Sequence, residues 1–382
     1  MSSNKLPGDK QQDIYPVSTD QLLRITVEQG GSDLHLTAGM PPQARINGEL
    51  TKLDFPVLYP EVIEALLYSI LDQKQLQRLQ EQWELDFSYS ISGVARFRGN
   101  IMYQRNSLSA VFRVVPFEIP DFDTLGLPPA VRSICELTRG LVLVTGPTGS
   151  GKSTTLAALI NIINRERCEN IVTIEDPIEF LHKHIKSTIR QREVGTDTHS
   201  FADALRHVLR QDPDVILIGE MRDLESISIA LTAAETGHLV FSTLHTQTAP
   251  LTVSRIVDVF QDHRRAQVRQ QLANSLRAVV CQQLVPTTDG KGRVAAVEYM
   301  VDSPAVRNMI REGKDHQLYS AMQTGQELGM QTLDKALFEL YKNNKITREV
   351  ALEYCVDRSE MERLLSFGGG PGLKPRSGSW RG

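Results

Sequence analysis

The stretch Leu141-Val-Leu-Val-Thr-Gly-Pro-Thr-Gly-Ser-Gly-Lys-Ser-Thr-Thr155 decides the fold of this chain. Its first four residues form an apolar run of the kind found in buried parallel strands. Apolar residues at helical spacing follow from near Lys152, and the turn between the two patterns matches G-x-x-x-x-G-K-[ST] from Gly146 to Ser153. A strand, a glycine-rich turn and a helix in this order predict a phosphate-binding loop, or P-loop.

The chemistry of phosphate binding accounts for each residue type in this loop. Glycines let the backbone direct N–H groups toward phosphate oxygens, and the N-terminus of the following helix adds partial positive charge. Lys152 is expected to reach the β- and γ-phosphates of ATP, and the Ser153 hydroxyl is expected to bind Mg²⁺. The predicted nucleotide-binding residues are Gly146, Pro147, Thr148, Gly149, Ser150, Gly151, Lys152, Ser153 and Thr154.

The composition is that of a globular protein with more than one domain. The chain has 382 residues, 41% hydrophobic and 23% charged, and a net charge of −4, which argues against a nucleic-acid partner. No run of about 18 apolar residues predicts a membrane-spanning helix, and the first residues lack the apolar core of a signal peptide. The four cysteines are far apart and form no C-x-x-C pair, so we expect no structural zinc and a reducing, cytoplasmic location.

Changes in pattern along the chain predict an α/β protein with two folded domains. Residues 1–16 are predicted to be a disordered arm, and residues 17–115 a small α+β domain, because helical and period-two patterns alternate there. The proline-rich segment 116–129 is predicted to be a linker. Residues 130–366 alternate strands and helices, which indicates a parallel sheet covered by helices and a helical end from about 304. Residues 367–382 are predicted to be a disordered tail.

Acidic residues follow two of the predicted parallel strands. Glu220 comes after the strand 215–218, and ligands of doubly wound sheets lie at the carboxyl ends of strands. We therefore expect Glu220 beside the P-loop as an acidic partner of Mg²⁺, rather than a solvated acid. Glu175, Asp176 and Glu179 follow the strand 171–174. One of these three is expected to polarise the attacking water, and an acidic turn that opens a helix is the alternative.

Histidines and arginines supply further candidates. His238 and His245 flank an apolar strand at 239–242, and the residues alone leave a catalytic and a structural role equally open. Arg96, Arg98 and Arg113 lie on a predicted hairpin of the first domain. They either act as arginine fingers toward a neighbouring subunit or form a salt-bridged face of a sheet.

Four segments resemble, in chain order, the Walker A, Asp box, Walker B and His box motifs of the secretion ATPases. They are residues 141–155, Thr173–Phe180, Leu209–Asp214 and Gly237–Thr246. Three more segments, Gly31–His35, Arg96–Asn100 and Ala305–Glu312, resemble the type IV pilus retraction ATPases within that group. The resemblance covers roughly residues 20 to 365.

The resemblance implies a PAS-like N-terminal domain, a RecA-like ATPase domain, and ATP and Mg²⁺ as cofactors. It implies a cytoplasmic homohexamer at the inner face of the cytoplasmic membrane, with the pilus platform protein and a paralogous retraction ATPase as candidate partners. By position, Glu179 matches the catalytic glutamate of the family and Glu220 its Walker B glutamate. His238 and His245 match the His box, and Arg96, Arg98 and Arg113 match residues that face the nucleotide in the ring.

Some departures from related patterns narrow the prediction. Pilus assembly ATPases carry a tetracysteine zinc site and a longer N-terminal region, and this chain has neither. The segment from Ala305 to Ile310 reads Ala-Val-Arg-Asn-Met-Ile where the family commonly has Ala-Ile-Arg-Asn-Leu-Ile, and these exchanges preserve apolar character and size. The alternatives are an accessory retraction ATPase, a RecA-like motor that moves nucleic acid, and a nucleotide-gated regulator with little turnover.

Overall fold

The computed structural model describes residues 15, 17–115, 118–221 and 223–367. The chain divides into two compact units, Met1–Phe117 and Glu118–Gly382. The predicted arm and tail lie outside the described residues, except that Tyr15 is described and donates a hydrogen bond to the carbonyl oxygen of Pro56, and that the backbone of Phe367 ends the last helix.

The first unit is an antiparallel six-stranded sheet with three helices. In chain order its elements are α1 (Thr19–Glu28), β1 (Gly31–Thr37), β2 (Gln43–Ile46), β3 (Glu49–Lys52), α2 (Pro60–Tyr68), α3 (Gln73–Gln82), β4 (Glu84–Ile91), β5 (Ala95–Gln104) and β6 (Ser107–Val115). The strand order is β3-β2-β1-β6-β5-β4. Asp72 caps the start of α3, where its side chain accepts a hydrogen bond from the backbone N–H of Gln75.

The second unit is built on a seven-stranded sheet. Its elements up to the sixth strand of that sheet are β7 (Gly140–Thr145), α4 (Lys152–Glu166), β8 (Asn170–Glu175), β9 (Thr188–Glu193), α5 (Phe201–Val208), β10 (Val215–Ile218), α6 (Leu224–Glu235), β11 (Leu239–Leu244), α7 (Ala249–Asp258), α8 (Asp262–Ser275) and β12 (Leu276–Pro286). The remaining elements are β13 (Arg293–Val301), α9 (Pro304–Glu312), α10 (Leu318–Thr324), α11 (Leu333–Lys342), α12 (Arg348–Tyr354) and α13 (Arg358–Phe367).

The strand order of this sheet is β13-β12-β7-β11-β10-β8-β9, parallel except for the antiparallel pair β12–β13. The apolar run 141–144 in β7 is fully buried, because helices cover both faces of the sheet. The predicted α/β fold class, with an antiparallel first domain and a parallel ATPase-type second domain, is confirmed.

Residues in the predicted linker differ from the expectation. Phe122 and Leu127 are buried and belong to the core of the second unit, which begins at Glu118 rather than at 130. The prolines around them disfavour regular secondary structure, but Phe122 and Leu127 pack into the hydrophobic core of the second unit all the same. The sequence patterns also gave no prediction for β9, β12, β13 and α13.

Candidate functional site

The P-loop lies between the end of β7 and the start of α4. Gly146 has φ of +139°, and a Cβ atom there would lie 2.1 Å from the carbonyl oxygen of Gln282 on β12. Gly151, with φ of +89°, occupies the N-cap position of α4. Both positions require glycine, so the loop can bend tightly between a buried strand and a helix N-terminus.

Lys152 is the first residue of α4 and lies over the loop. Its Nζ donates hydrogen bonds to the carbonyl oxygens of Gly146, at 2.9 Å, and Pro147, at 3.0 Å. Burial lowers the pKa of Lys152, and the carboxylates of Glu220 and Glu179 act in the opposite direction. The Lys152 ammonium group therefore lies within electrostatic reach of two predicted acidic site residues, Glu220 and Glu179.

A cleft of about 420 Å³ opens beside the P-loop. Its walls bring together predicted residues from four separate parts of the sequence, because the carboxyl ends of parallel strands meet at one edge of the sheet. The predicted residues that line it are Thr148, Gly149, Gly151, Lys152, Ser153, Thr154, Glu175, Asp176, Glu179, Glu220 and His245.

Glu220 and His245 face each other at the carboxyl ends of β10 and β11. The Nε2 atom of His245 is 3.2 Å from Oε1 of Glu220. The adjacent backbone is fixed because the Thr243 hydroxyl donates to the carbonyl oxygen of Gly219 and the N–H of Gly219 donates to the carbonyl oxygen of Ile174. These bonds tie the ends of three neighbouring strands together beneath the cleft.

The two glutamates that follow β8 have different surroundings. Glu175 accepts hydrogen bonds from the Thr173 hydroxyl at 2.7 Å and from the Gln191 amide at 3.2 Å. Burial raises the pKa of Glu175, and these two bonds oppose that effect. Glu179 is exposed in the cleft. Of these two glutamates, Glu179 is therefore the more accessible to an attacking water, because Glu175 is held by neighbouring side chains. Asp176, the third candidate, is also exposed in the cleft.

His238 is not brought to this cleft. It precedes β11, whereas His245 follows it, so the length of a six-residue strand, about 20 Å, separates the two histidines. The Nδ1 atom of His238 lies 3.0 Å from the carbonyl oxygen of Ala233 and 3.3 Å from the Thr236 hydroxyl. Of the two His-box histidines, the structure therefore places only His245 at the cleft of this chain, because histidines that flank a strand lie at opposite ends of the sheet.

The three predicted arginines lie on neighbouring strands of the first unit. Arg98 on β5 pairs in register with Arg113 on β6. The Nε atom of Arg113 is 2.9 Å from Oδ1 of Asp33, whose side chain is only 7% exposed while that of Arg113 is 68% exposed. Arg96, also on β5, is partly buried. Asp33 thus holds the Nε end of the Arg113 guanidinium group, while the side chain as a whole stays accessible to solvent.

Sequence reasoning missed the residues that hold the acidic segment after β8. Gln191 on β9 accepts from the backbone N–H of His182 and donates to the carbonyl oxygen of Phe180, both at 2.8 Å. Glu193 accepts from the backbone N–H of Ile178 at 3.0 Å. These partners belong to a polar edge strand that carried no recognisable motif, so only the pairing of β9 with β8 reveals them.

The site also contains features that suit a bound phosphate group. The buried Oγ atom of Ser150 has no hydrogen-bond partner among the described residues. Glycine at 146 and 151 lets the loop lie directly against the backbone and the Gln282 side chain of β12, and the first residues of α4, whose N–H groups have no partner within the helix, line the cleft. The Ser153 hydroxyl and the Glu220 carboxylate supply oxygen ligands of the kind that Mg²⁺ prefers.

The fold and the site together define a P-loop ATPase built on a mostly parallel sheet. The chain belongs to the Type II/IV secretion system protein family, whose model matches residues 86–352. Among the described residues, no helix combines the length and the apolar character needed to cross a membrane.

Individual relatives span nearly the whole chain. The Type IV pilus retractation ATPase PilT of Pseudomonas aeruginosa is 51% identical over 333 residues, which cover 87% of this chain and 96% of the relative. The Type IV pilus ATPase PilU of the same organism is 42% identical over 349 residues, 91% of each chain. The crystal structure of the pilus retraction motor PilT with bound ADP has a TM-score of 0.86 at 51% identity, covering 91% of this chain and 99% of that one.

Proposed function

We propose that this chain is an ATP-hydrolysing hexameric motor that drives retraction of type IV pili and hence twitching motility. The observation that carries the proposal is the cleft itself, in which Lys152, Glu179, Glu220 and His245 meet at a P-loop in a chain similar to PilT along most of its length. The motor would act from the cytoplasmic face of the inner membrane on the pilus platform protein, with ATP and Mg²⁺ as cofactors.

The side chains of the cleft divide the chemistry of hydrolysis between them. Lys152 and the loop N–H groups would hold the β- and γ-phosphates, and Ser153 and Glu220 would hold Mg²⁺. Mg²⁺, when bound, neutralises the charge that develops on the phosphate oxygens. Glu179 would accept a proton from the attacking water. His245 would keep Glu220 oriented through the contact between its Nε2 atom and Oε1 of Glu220.

The accessory retraction ATPase is the second candidate, and the comparison favours it less. PilU is 42% identical to this chain, against 51% for PilT. A motor on nucleic acid is disfavoured by the net charge of −4. The experiment that tests the proposed activity is a phosphate-release assay with the purified chain, ATP and Mg²⁺. Absence of release with a correctly assembled oligomer would favour the nucleotide-gated regulator, and salt-sensitive DNA binding would favour the nucleic-acid motor.

Exchange of Glu179 for glutamine is expected to leave ATP binding intact and to reduce turnover about 10²- to 10⁴-fold, because the amide keeps the shape but accepts no proton. Fluorescent-nucleotide binding and phosphate release measure the two effects separately. Glu175→Gln is the comparison, since Glu175 is already bonded to Thr173 and Gln191. Normal turnover by Glu179→Gln together with a dead Glu175→Gln would assign the base to Glu175 instead.

Exchange of Arg307 for glutamate is expected to leave ATP hydrolysis intact while twitching fails. Val306 and Ile310 bury one face of α9, and Arg307 is 46% exposed on the other face, paired with Asp302. Asp302 keeps its second ion pair, with Arg277 at 2.9 Å, so the ATPase unit should stay folded without Arg307. Phosphate release and colony spreading are the measurements.

A matched control for this exchange lies on α13. Arg363 is also an exposed helical arginine, paired with Glu360 at 2.7 Å. Arg363→Glu should therefore change neither hydrolysis nor twitching. Normal twitching by Arg307→Glu, or an equal loss in both variants, would show that the exposed face of α9 has no specific part in pilus retraction.

A further inference from the structure

His245 is carried by the short segment His245–Thr248, which joins β11 to α7. The N-terminal end of this segment is fixed by β11, which pairs with β7 and β10. Its far end needs a separate anchor, since α7 begins at Ala249 and the first N–H groups of a helix have no partner within the helix. The group that binds the backbone of Ala249 therefore helps to fix the position of His245.

The anchor is Glu298, a fully buried residue on β13. Its Oε1 atom accepts a hydrogen bond from the backbone N–H of Ala249 at 2.7 Å. Its Oε2 atom accepts one from the backbone N–H of Leu333, the first residue of α11, at 3.3 Å. One carboxylate thus bonds the first residues of two helices, where partial positive charge favours an anion.

Burial of the Glu298 carboxyl group costs folding free energy, so packing alone does not explain a glutamate at this position. Among the described residues it has no ion pair with lysine or arginine, and burial raises its pKa to about 7 while the two backbone hydrogen bonds act against that effect. Cys281 and Asp334 are the other titratable groups that act on this carboxyl group. A buried carboxyl group in such a place must be stabilised by its hydrogen bonds, and here those bonds go to helix starts.

Further polar contacts join the segment His245–Thr248 to α7, and Cys281 to the residue before the P-loop. The Thr246 hydroxyl lies 2.7 Å from that of Thr252, which donates to the carbonyl oxygen of Thr248 at 2.8 Å. Cys281, beside Glu298, accepts from the hydroxyl of Thr145, the residue that precedes the P-loop, at 3.1 Å. The segment that carries His245 is therefore held by buried bonds at its helical end.

We infer that Glu298 is a positioning residue for ATP hydrolysis: by holding the first N–H of α7, it keeps the segment His245–Thr248 in the place that sets His245 against Glu220. The inference rests on the proposed function, because it assumes that His245 and Glu220 serve hydrolysis. Glu298 lines no part of the cleft and contacts no reacting group, so its effect must pass through His245.

Glu298→Gln is the first test. The neutral amide bonds the helix starts less strongly, so the segment loosens, and displacement of a site residue by about 1 Å can cost up to 10²-fold in rate. We expect kcat to fall about 10- to 100-fold while KM for ATP changes less than about twofold, since the P-loop is not altered. An unchanged kcat in a folded Glu298→Gln oligomer would overturn the inference.

Asp334→Asn is the matched control. Asp334 is a buried carboxylate on α11 that also accepts two backbone hydrogen bonds, from Val356 at 2.7 Å and Asp357 at 2.9 Å. It makes no described bond to the segment His245–Thr248. Asp334→Asn should lower Tm as Glu298→Gln does but leave kcat unchanged. An equal fall of kcat in both variants would show general destabilisation and contradict a positioning role.

A double-mutant cycle separates positioning from a merely structural role. If Glu298 acts through His245, then Glu298→Gln should cause no further loss of kcat in a His245→Ala background. Independent effects that multiply would contradict the inference, and so would a harmless His245→Ala beside a damaging Glu298→Gln.

A second variant keeps the inference testable if Glu298→Gln does not fold. Thr246→Val removes the hydroxyl contact with Thr252 at the same segment and preserves side-chain shape. It should also lower kcat without raising KM, and wild-type kcat in Thr246→Val would then contradict the inference. Failure of the proposed function itself is distinguishable, because in that case the wild-type chain would release no phosphate in the same assay.

Discussion

Alanine at position 152 should reduce ATP turnover at least about 10²- to 10³-fold, the cost typical of removing one preorganised charge-stabilising donor from an active site. Lys152 is the cation that the structure places over the P-loop, held at the carbonyl oxygens of Gly146 and Pro147. The residue is 9% exposed, so its ammonium group is held against the loop rather than free in solvent. Phosphate release at saturating ATP measures the effect.

The control for Lys152→Ala is an exposed lysine outside the cleft. Lys342→Ala removes the same charge from an exposed position at the end of α11 and should leave turnover unchanged. Turnover by Lys152→Ala within about tenfold of the wild type would mean that the P-loop is not the site of hydrolysis.

Catalysis across the subunit interface is the second large effect that we expect. Arg113 lies on β6 with its side chain largely exposed, and Asp33 binds its Nε atom. In a ring, a guanidinium supplied by the neighbouring subunit would stabilise charge on the γ-phosphate, a contribution worth roughly 10³- to 10⁵-fold in rate. An isolated subunit should therefore be nearly inactive, and Arg113→Ala should be inactive as an oligomer.

Mixing two inactive variants tests this directly. Lys152→Ala and Arg113→Ala should partly restore each other's activity, because some interfaces then combine an intact P-loop with an intact arginine. Native mass spectrometry must show that mixed oligomers form. Activity that stays at background at every ratio in proven mixed oligomers would show that Arg113 does not act in trans, and Arg96 and Arg98 would be tested next in the same way.

Two further variants separate charge from structure at this position. Removing Arg113 takes the ion-pair partner from the largely buried carboxylate of Asp33, which among the described residues keeps only its hydrogen bond from Ser32, so Arg113→Ala will also cost stability. Arg113→Lys keeps a positive charge near Asp33 but loses the planar fork of the guanidinium, so it should fold normally and still be slow. Arg78→Ala, on the exposed side of α3, should be neutral.

The parts of the site that the sequence predicted are those encoded by local pattern. A buried strand, a glycine-rich turn and a helix start are consecutive in the chain, so the position of Lys152 follows from them. Glu220 follows because strand ends in a parallel sheet converge at one edge. The resemblance to the His box grouped His238 with His245, whereas the two histidines flank β11, and His245 at its carboxyl end is the one that lines the cleft.

The parts that the sequence did not reveal depend on partners far apart in the chain. Glu298 bonds Ala249, 49 residues away, and nothing around either residue marks the contact. Gln191 belongs to an edge strand whose polar sequence is that of a surface segment, and its role exists only once β9 pairs with β8. Long-range hydrogen bonds of this kind have no periodicity and therefore leave no pattern to read.

If ATP hydrolysis at this P-loop drives pilus retraction, imaging of labelled pili in living cells should show it. In a strain that lacks the chain, re-expression of the wild type should restore retraction, whereas Lys152→Ala should leave cells with excess pili that extend but do not retract. Cells without pili, or pili that retract normally with Lys152→Ala as the sole copy, would contradict the account.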